Sequence, residues 1–328
     1  MTISFLLFSS LFMFPVSSLT INITSTAKTW YVDDDFNETT SGWNVTNFSK
    51  IQYAINNASS GDTVFVYNGT YYENIVVDKS INLLGEDKDT TIIDGKQLNG
   101  SGIFINTNWV KIIGFSIKNF NFGIRLNNSL LNINDSLSNI TISNNNILNN
   151  NDGIFGWNQY YNTIIYNNIL NNKDTAIMLS GKYNNVSRNK ISNSNTGIRN
   201  RCILTEHKLY SSSDNIISYN YLLNNDDGIC FSSDFNFKNY TIKNNIIKES
   251  VMGIKLVNCE DSSICYNDFK KNDVNAFVSN REPSSWALAL EKTRSNNWNH
   301  NYWNRPKLGP KFIFGFDSHI PTQEYDHP

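Results

Sequence analysis

Three aspartates occupy matching places in a recurring phrase. Asp152, Asp174 and Asp227 each stand five residues after an apolar position of the repeat. On one face of a regular structure they would set carboxylates across a glycosidic bond, as acid–base sugar hydrolysis requires, or hold calcium with oxygen donors. Asp226 adds a second carboxylate beside Asp227. The same slot holds Thr196, Val251 and Val274 in other copies, and Asp before Gly is ordinary turn chemistry, so a purely structural reading stands beside the catalytic one. Arg125, Arg199 and Lys255 each directly follow a Gly-Ile pair. They form a candidate basic column for anionic glycans, although solvated charges on a sheet face would give the same pattern. Trp157, Tyr160 and Tyr161 cluster in one loop between copies, and Phe231, Phe235 and Phe237 in a corresponding later loop. Sugar rings stack on exposed aromatic faces; rings packed on one another along the fold are the alternative.

Metal chemistry finds little support. Copper needs soft or imidazole ligands, yet His207, His300, His319 and His327 are scattered, and Met178 and Met252 are isolated. No cofactor is expected, and calcium would enter only with lyase chemistry. The four cysteines are Cys202, Cys230, Cys259 and Cys265. In an exported chain they allow two disulfides in three connectivities. Cys259 and Cys265 bracket a turn and could pair locally; buried thiols are equally compatible. No C-x-x-C spacing suggests zinc.

The elements that must position these residues come from the repeat. NITISNNNILNNNDGI (139–154), NTIIYNNILNNKDTAI (162–177), NVSRNKISNSNTGI (185–198), NIISYNYLLNNDDGI (215–229), YTIKNNIIKESVMGI (240–254) and SICYNDFKKNDVNAF (263–277) are copies of one phrase. One apolar position runs through Ile147, Ile169, Ile191, Leu222, Ile246 and Phe269, with steps of 22, 22, 31, 24 and 23 residues. The long step holds an insertion around Cys202–Ser213, and Ile117 occupies the same position in an earlier copy. Short apolar alternations separated by Asn, Asp, Ser and Gly are strands joined by turns, and several per period of 20–30 residues signal a β-solenoid. The expected fold is all-β, a right-handed parallel β-helix. Asn145, Asn167, Asn189, Asn220, Asn244 and Asn267 predict an amide ladder between coils. Gly123, Gly153, Gly197, Gly228 and Gly253 are expected to supply positive-φ corners.

An exposed coil end is an unpaired sheet edge. Ile51, Ala54, Ile55 and Ala58 have helical spacing and predict a short N-terminal capping helix. Trp298–Trp303 and the proline-rich tail after it would cover the other end. The division expected is 1–18 signal peptide, 30–95 cap and first coils, 96–295 repeats, and 296–328 capping tail.

Met1–Ser18 is an apolar stretch of signal-peptide length with Val16 and Ser18 suitably small for cleavage. The segment lacks a basic n-region. No later segment approaches a membrane span. A net charge of −2 with 17% charged residues excludes a broad nucleic-acid footprint. Twelve Asn-x-Ser/Thr sequons include Asn22, Asn44, Asn68, Asn99, Asn139, Asn185 and Asn239, acceptor sites in an exported chain.

IQYAINNASSGDTVFVYNGTYYENIVVDKSINLLGEDKDTTIIDG (51–95) resembles the opening of pectate-lyase-like right-handed β-helix proteins. The N-x-I-x-x-N-x-I-x-x-N-x-x-G-I copies resemble NosD-type repeats of the carbohydrate-binding and sugar-hydrolase β-helix group. NNWNHNYWNRPKLGPKFIFG (296–315) is similar to the endings of archaeal exported members. The likeness implies the fold, whereas the group's functions range over lyases, hydrolases, epimerases, adhesins, surface-layer components and a copper-associated accessory protein. Of a polygalacturonase's motifs only Asp226–Asp227 is present. Arg281, Glu282 and Pro283 match part of a pectate-lyase Arg-x-Pro-x-x-Arg motif whose last position holds Trp286. The expected function is non-catalytic binding of carbohydrate or other cell-envelope components by a secreted or cell-surface protein. A polysaccharide lyase or glycoside hydrolase and a structural envelope protein are the alternatives.

Overall fold

The computed structural model describes residues 26–96, 98–126, 136–204, 209–232, 237–279 and 296–303. The signal-like segment, Asn22, His207, Phe235, Arg281–Pro283, His319, His327 and the tail beyond Trp303 lie outside the described residues.

Each coil contributes one short strand to each of three parallel sheets of twelve, ten and nine strands. In one coil these are Thr141–Ser143, Asn146–Leu148 and Asp152–Tyr160, and the next coil opens at Thr163. Parallel crossovers of this kind are right-handed, and the chain is a right-handed parallel β-helix. Inside, like residues stack on like. The first sheet aligns Leu83, Ile112, Ile142, Ile164, Val186, Ile217, Ile242 and Ile264, and the third aligns Ile103, Ile124, Ile154, Ile177, Ile198, Ile229 and Ile254. All are buried. No single coil could bury such a face, so each stabilises its neighbours.

The second-sheet column corrects one sequence assignment. It runs Ile117, Ile147, Ile169, Ile191, Leu222, Ile247 and Phe269, through Ile247 rather than Ile246. The amide ladder moves with it. Asn220 donates from Nδ2 to Asn245 Oδ1 at 3.0 Å, and Asn245 donates to Asn267 at 2.9 Å. Asn244 instead takes the left-handed position at φ 55° just before it. Adjacent asparagines in NN pairs look alike in sequence, whereas one faces in and the other out. The ladder begins at Asn145 and ends at Asn301.

Each of the other two corners carries its own ladder. Asn150 bonds Asn172, and Asn184 bonds Asn215. Ser194 and Ser250 replace Asn in one of these rows, where their backbone N–H groups donate to Asn225 and Asn272.

The repeat glycines do not supply positive φ. Asn, Tyr and other residues one position before each ladder do so: Asn144, Tyr166, Arg188, Tyr219, Asn244, Tyr266 and His300 lie between φ 51° and 59°. Gly123, Gly153, Gly197, Gly228 and Gly253 are required for space. A Cβ on Gly228 would meet the Gly253 carbonyl oxygen at 2.5 Å and Ile247 Cγ2 at 2.8 Å.

The N-terminal end is closed by the helix Ile51–Asn57, with Ile51, Ala54 and Ile55 buried. Glu73 accepts from the Ile51 and Gln52 N–H groups, while Lys79 Nζ donates to the Ile55, Asn56 and Ala58 carbonyls. A carboxylate at the N-terminus and an ammonium at the C-terminus both oppose the helix dipole. At the other end Trp303 stacks on Phe269 with ring centres 4.6 Å apart.

Candidate functional site

The outer face of the third sheet gathers most of the chemistry-bearing residues, because inward Ile alternates with outward residues on each strand. One outward column follows the Gly-Ile pairs: Phe104, Arg125, Phe155, Met178, Arg199, Cys230, Lys255 and Phe277. Arg125, Arg199 and Lys255 therefore share a column, but apolar residues and a cysteine separate them. A second outward column runs Phe122, Asp152, Thr175, Thr196, Asp227 and Met252.

The three aspartates are not aligned. Asp174 precedes Thr175, its N–H bonds Asn151 O, and Thr175 N–H donates to Asp152 Oδ1 at 3.1 Å. One extra residue in the corner Asn171–Asp174 moves Asp174 off the column. Asp152 and Asp227 share the column but are three strands apart, about 14 Å at the usual spacing, too far to act across one glycosidic bond. Asp174 lies beside Asp152. Burial raises the Asp152 carboxyl above its ordinary range and the Asp174 charge adds to this, against hydrogen bonds from Thr175 and Asn151 and the Arg199 charge. Arg199 is 3.4 Å from Asp174 Oδ1 and donates to Thr196 Oγ1 at 2.5 Å. Cys230 sits against Asp227; burial, then that charge and hydrogen bond, push its thiol up to about 12.

The earlier coils carry an aromatic cluster instead. Arg125 lies over the Phe122 and Phe104 rings at 5.2 and 5.9 Å. Phe122 meets Phe155 at 5.0 Å, and Phe155 stacks on Trp157 at 5.7 Å. Arg125 Nε and Trp157 Nε1 are buried N–H groups with no hydrogen-bond partner among the described residues. Phe104 and Phe155 were legible as the residue after Gly-Ile, the slot that pointed to Arg125.

The expected aromatic loop divides. Trp157 belongs to this cluster, and half-buried Tyr160 bonds Asn158 Oδ1. Tyr161 lies at the next corner, stacked on Tyr183 at 4.9 Å. Phe231 and Phe237 point inward and pack with Tyr240 in the core. Cys259 and Cys265 do not pair. Cys259 is buried among core residues, and Cys265 lies on the outer side of the first sheet. Of the sequons, Asn44, Asn68, Asn99 and Asn239 are exposed, while Asn139 and Asn185 are half-buried.

Among the described residues, Asp33, Asp34 and Asp35 are the group whose carboxylate oxygens converge, within 4.8 Å. Asp33 accepts from the Asp35 N–H and Asp34 from the Thr70 N–H, so two of the three carboxylates already bond backbone N–H groups. No helix among the described residues is long and apolar enough to cross a membrane.

Residues 55–202 and 200–308 match the family model described as periplasmic copper-binding protein (NosD). No curated protein matches the sequence significantly. Among solved structures, pectate lyase Pel9A is similar with a TM-score of 0.57 and 14% identity, over 85% of this chain and 77% of that one. The enzymatically active domain of bacteriophage CBA120 tailspike protein 2 is similar with a TM-score of 0.52 and 10% identity, over 76% of this chain and 39% of that one. At these identities the likeness is one of fold. Among the described residues the donors do not fit copper. The converging group is all carboxylate, a set for hard cations; His300 is stacked on Tyr266, and the Cys230 thiol is held protonated.

Proposed function

The chain belongs to the NosD family, and on that premise we propose that it is an exported, non-catalytic carbohydrate-binding protein. The glycan lies on the outer face of the third sheet. The observation that carries this reading is the Arg125–Phe155–Trp157 cluster, where aromatic rings and a guanidinium gather on one outer face. Rings supply stacking area and the Arg125 guanidinium fixes orientation, the division of labour in sugar sites. Arg199 and Lys255 further along the column would add electrostatic preference for acidic sugars. The signal-like segment and the family's periplasmic description support export.

A glycan array with the purified mature chain tests this, together with reducing-sugar and unsaturated-product assays. We expect binding without turnover, weakened about tenfold or more in Trp157→Ala, the scale of losing one stacked aromatic anchor. Unchanged binding in Trp157→Ala would remove the site. A second reading, glycan hydrolysis, is favoured by the raised Asp152 carboxyl beside Asp174, a perturbation common at acid catalysts. Turnover abolished by Asp152→Asn would establish it and end the non-catalytic reading.

A further inference from the structure

The corner between the first and second sheets carries a second surface, on a different wall from the Trp157 cluster. Its outermost residues are the left-handed ones, a conformation that costs a bulky side chain about 1–2 kcal/mol and that Asn or Gly adopts more easily. Asn144 and Asn244 show the cheap solution within this column. Between them the chain places Tyr166, Arg188 and Tyr219 at φ 59°, 55° and 57°. Tyr166 and Tyr219 are 52% and 53% exposed. The Arg188 guanidinium sits 5.5 Å from both ring centres and donates to the Tyr166 hydroxyl. Lys190 and Lys243 flank this stack, on the second and first sheets respectively.

Among the described residues no carboxylate forms an ion pair with Arg188, Lys190 or Lys243. The neighbouring Asp268 is already paired with Lys270 at 2.5 Å. The ridge thus concentrates three uncompensated cations and a row of phenol hydroxyls on a chain of net charge −2. Repeated strain at an exposed position points from the outlier to a function.

We propose that this ridge binds an acidic polysaccharide, carboxylated or sulfated, lying along the helix axis. The coil spacing of about 4.8 Å is close to the length one pyranose adds to an extended chain, so successive sugars meet successive corners. Arg188 and the lysines take the anionic groups, and the tyrosine hydroxyls bond sugar hydroxyls. With three cations on two of its four coils, the ridge suits a glycan of moderate charge better than the denser charge of a nucleic acid. This inference does not rest on the third-sheet site.

The column supplies a fold-safe test. Tyr166→Asn/Arg188→Asn/Tyr219→Asn puts at each corner the residue already present at 144 and 244, so the denaturation midpoint should be unchanged or higher. Affinity electrophoresis of the full chain would use gels containing polygalacturonate, chondroitin sulfate or neutral dextran. The wild type is expected to be retarded by at least one acidic polymer and not by dextran, with affinity falling about tenfold or more in the triple variant, the scale of losing a charged cluster. Equal retardation of variant and wild type, or none by either acidic polymer, would overturn the proposal. So would equal retardation by dextran or by double-stranded DNA. Loss in Trp157→Ala with retention in the triple variant would assign the polymer to the third-sheet face instead.

Discussion

Asn189 donates from Nδ2 to Asn220 Oδ1 at 3.1 Å, joining coils whose ladder residues are 31 apart, where the preceding link spans 22. The insertion leaves the coil after the third sheet, so the ladder corner never registers it. Asn189 Oδ1 also accepts from Asn167 N and Nδ2, both at 3.0 Å. Asn189→Ala strands the Asn167 N–H in a dry interior and takes the amide donor from the Ile164 and Ser187 carbonyls, at roughly 1–3 kcal/mol for each lost partner. We expect a loss of about 3–5 kcal/mol in urea unfolding, with Asn189→Ser milder because Ser262 Oγ accepts a backbone N–H in another corner. A loss below about 0.5 kcal/mol, the range of a neutral surface change, would show that the ladder does not stabilise the stack.

Gly228→Ala should destabilise although its φ is negative. The added Cβ meets a backbone carbonyl of the next coil at 2.5 Å, which cannot move without the sheet. The expected cost is at least about 2 kcal/mol, typical of overpacking against a rigid neighbour. Ala176 stands in this glycine column, in the coil whose preceding corner carries the extra residue, so Ala176→Gly should cost less than about 1 kcal/mol. Thermal unfolding of both variants decides whether space or backbone freedom selects these glycines; equal effects would favour freedom.

Period and apolar alternation made the fold legible, because every coil repeats the same inward Ile positions, and the helix at Ile51 followed from its spacing. Register within one residue was not legible. Asn244 and Asn245 are chemically identical, and only the neighbouring coil decides which one turns inward. The same limit put Asp174 in line with Asp152, since one extra residue in a polar corner leaves no mark on apolar spacing. Arg125, Arg199 and Lys255 were found as a column because Gly-Ile anchors that slot. The Tyr166–Arg188–Tyr219 ridge was missed because a left-handed corner was expected to require Gly or Asn.

Asp62 ties the N-terminal segment to the first coil. Burial raises its carboxyl, but hydrogen bonds from Lys28 N–H, Trp30 Nε1 and Ser59 N–H outweigh this and hold it below the ordinary carboxylate range. A lowered folded-state value means that the unfolded chain binds the proton more readily. The stabilisation is therefore present above the unfolded value, about 3.9, and is lost as pH falls through the folded one. The stability difference between wild type and Asp62→Asn should be largest near neutral pH and shrink below about pH 4. A difference independent of pH would show that the carboxylate charge is not what Asp62 contributes.

Thiol reactivity separates the cysteines by environment. Burial, ahead of its other surroundings, pushes Cys259 up to about 12, and burial followed by the Asp227 charge does the same to Cys230. The thiolate is the reactive form, so both should be inert in the native state. Cys202 is also buried, whereas Cys265 is half-buried on the outer side of the first sheet. Titration of the native protein with a chromogenic disulfide should give one fast equivalent that disappears in Cys265→Ser, with all four thiols reacting after unfolding. Fewer than four in the unfolded chain would reveal a disulfide. A fast phase surviving in Cys265→Ser would place another thiol at the surface and contradict the burial of Cys202, Cys230 and Cys259.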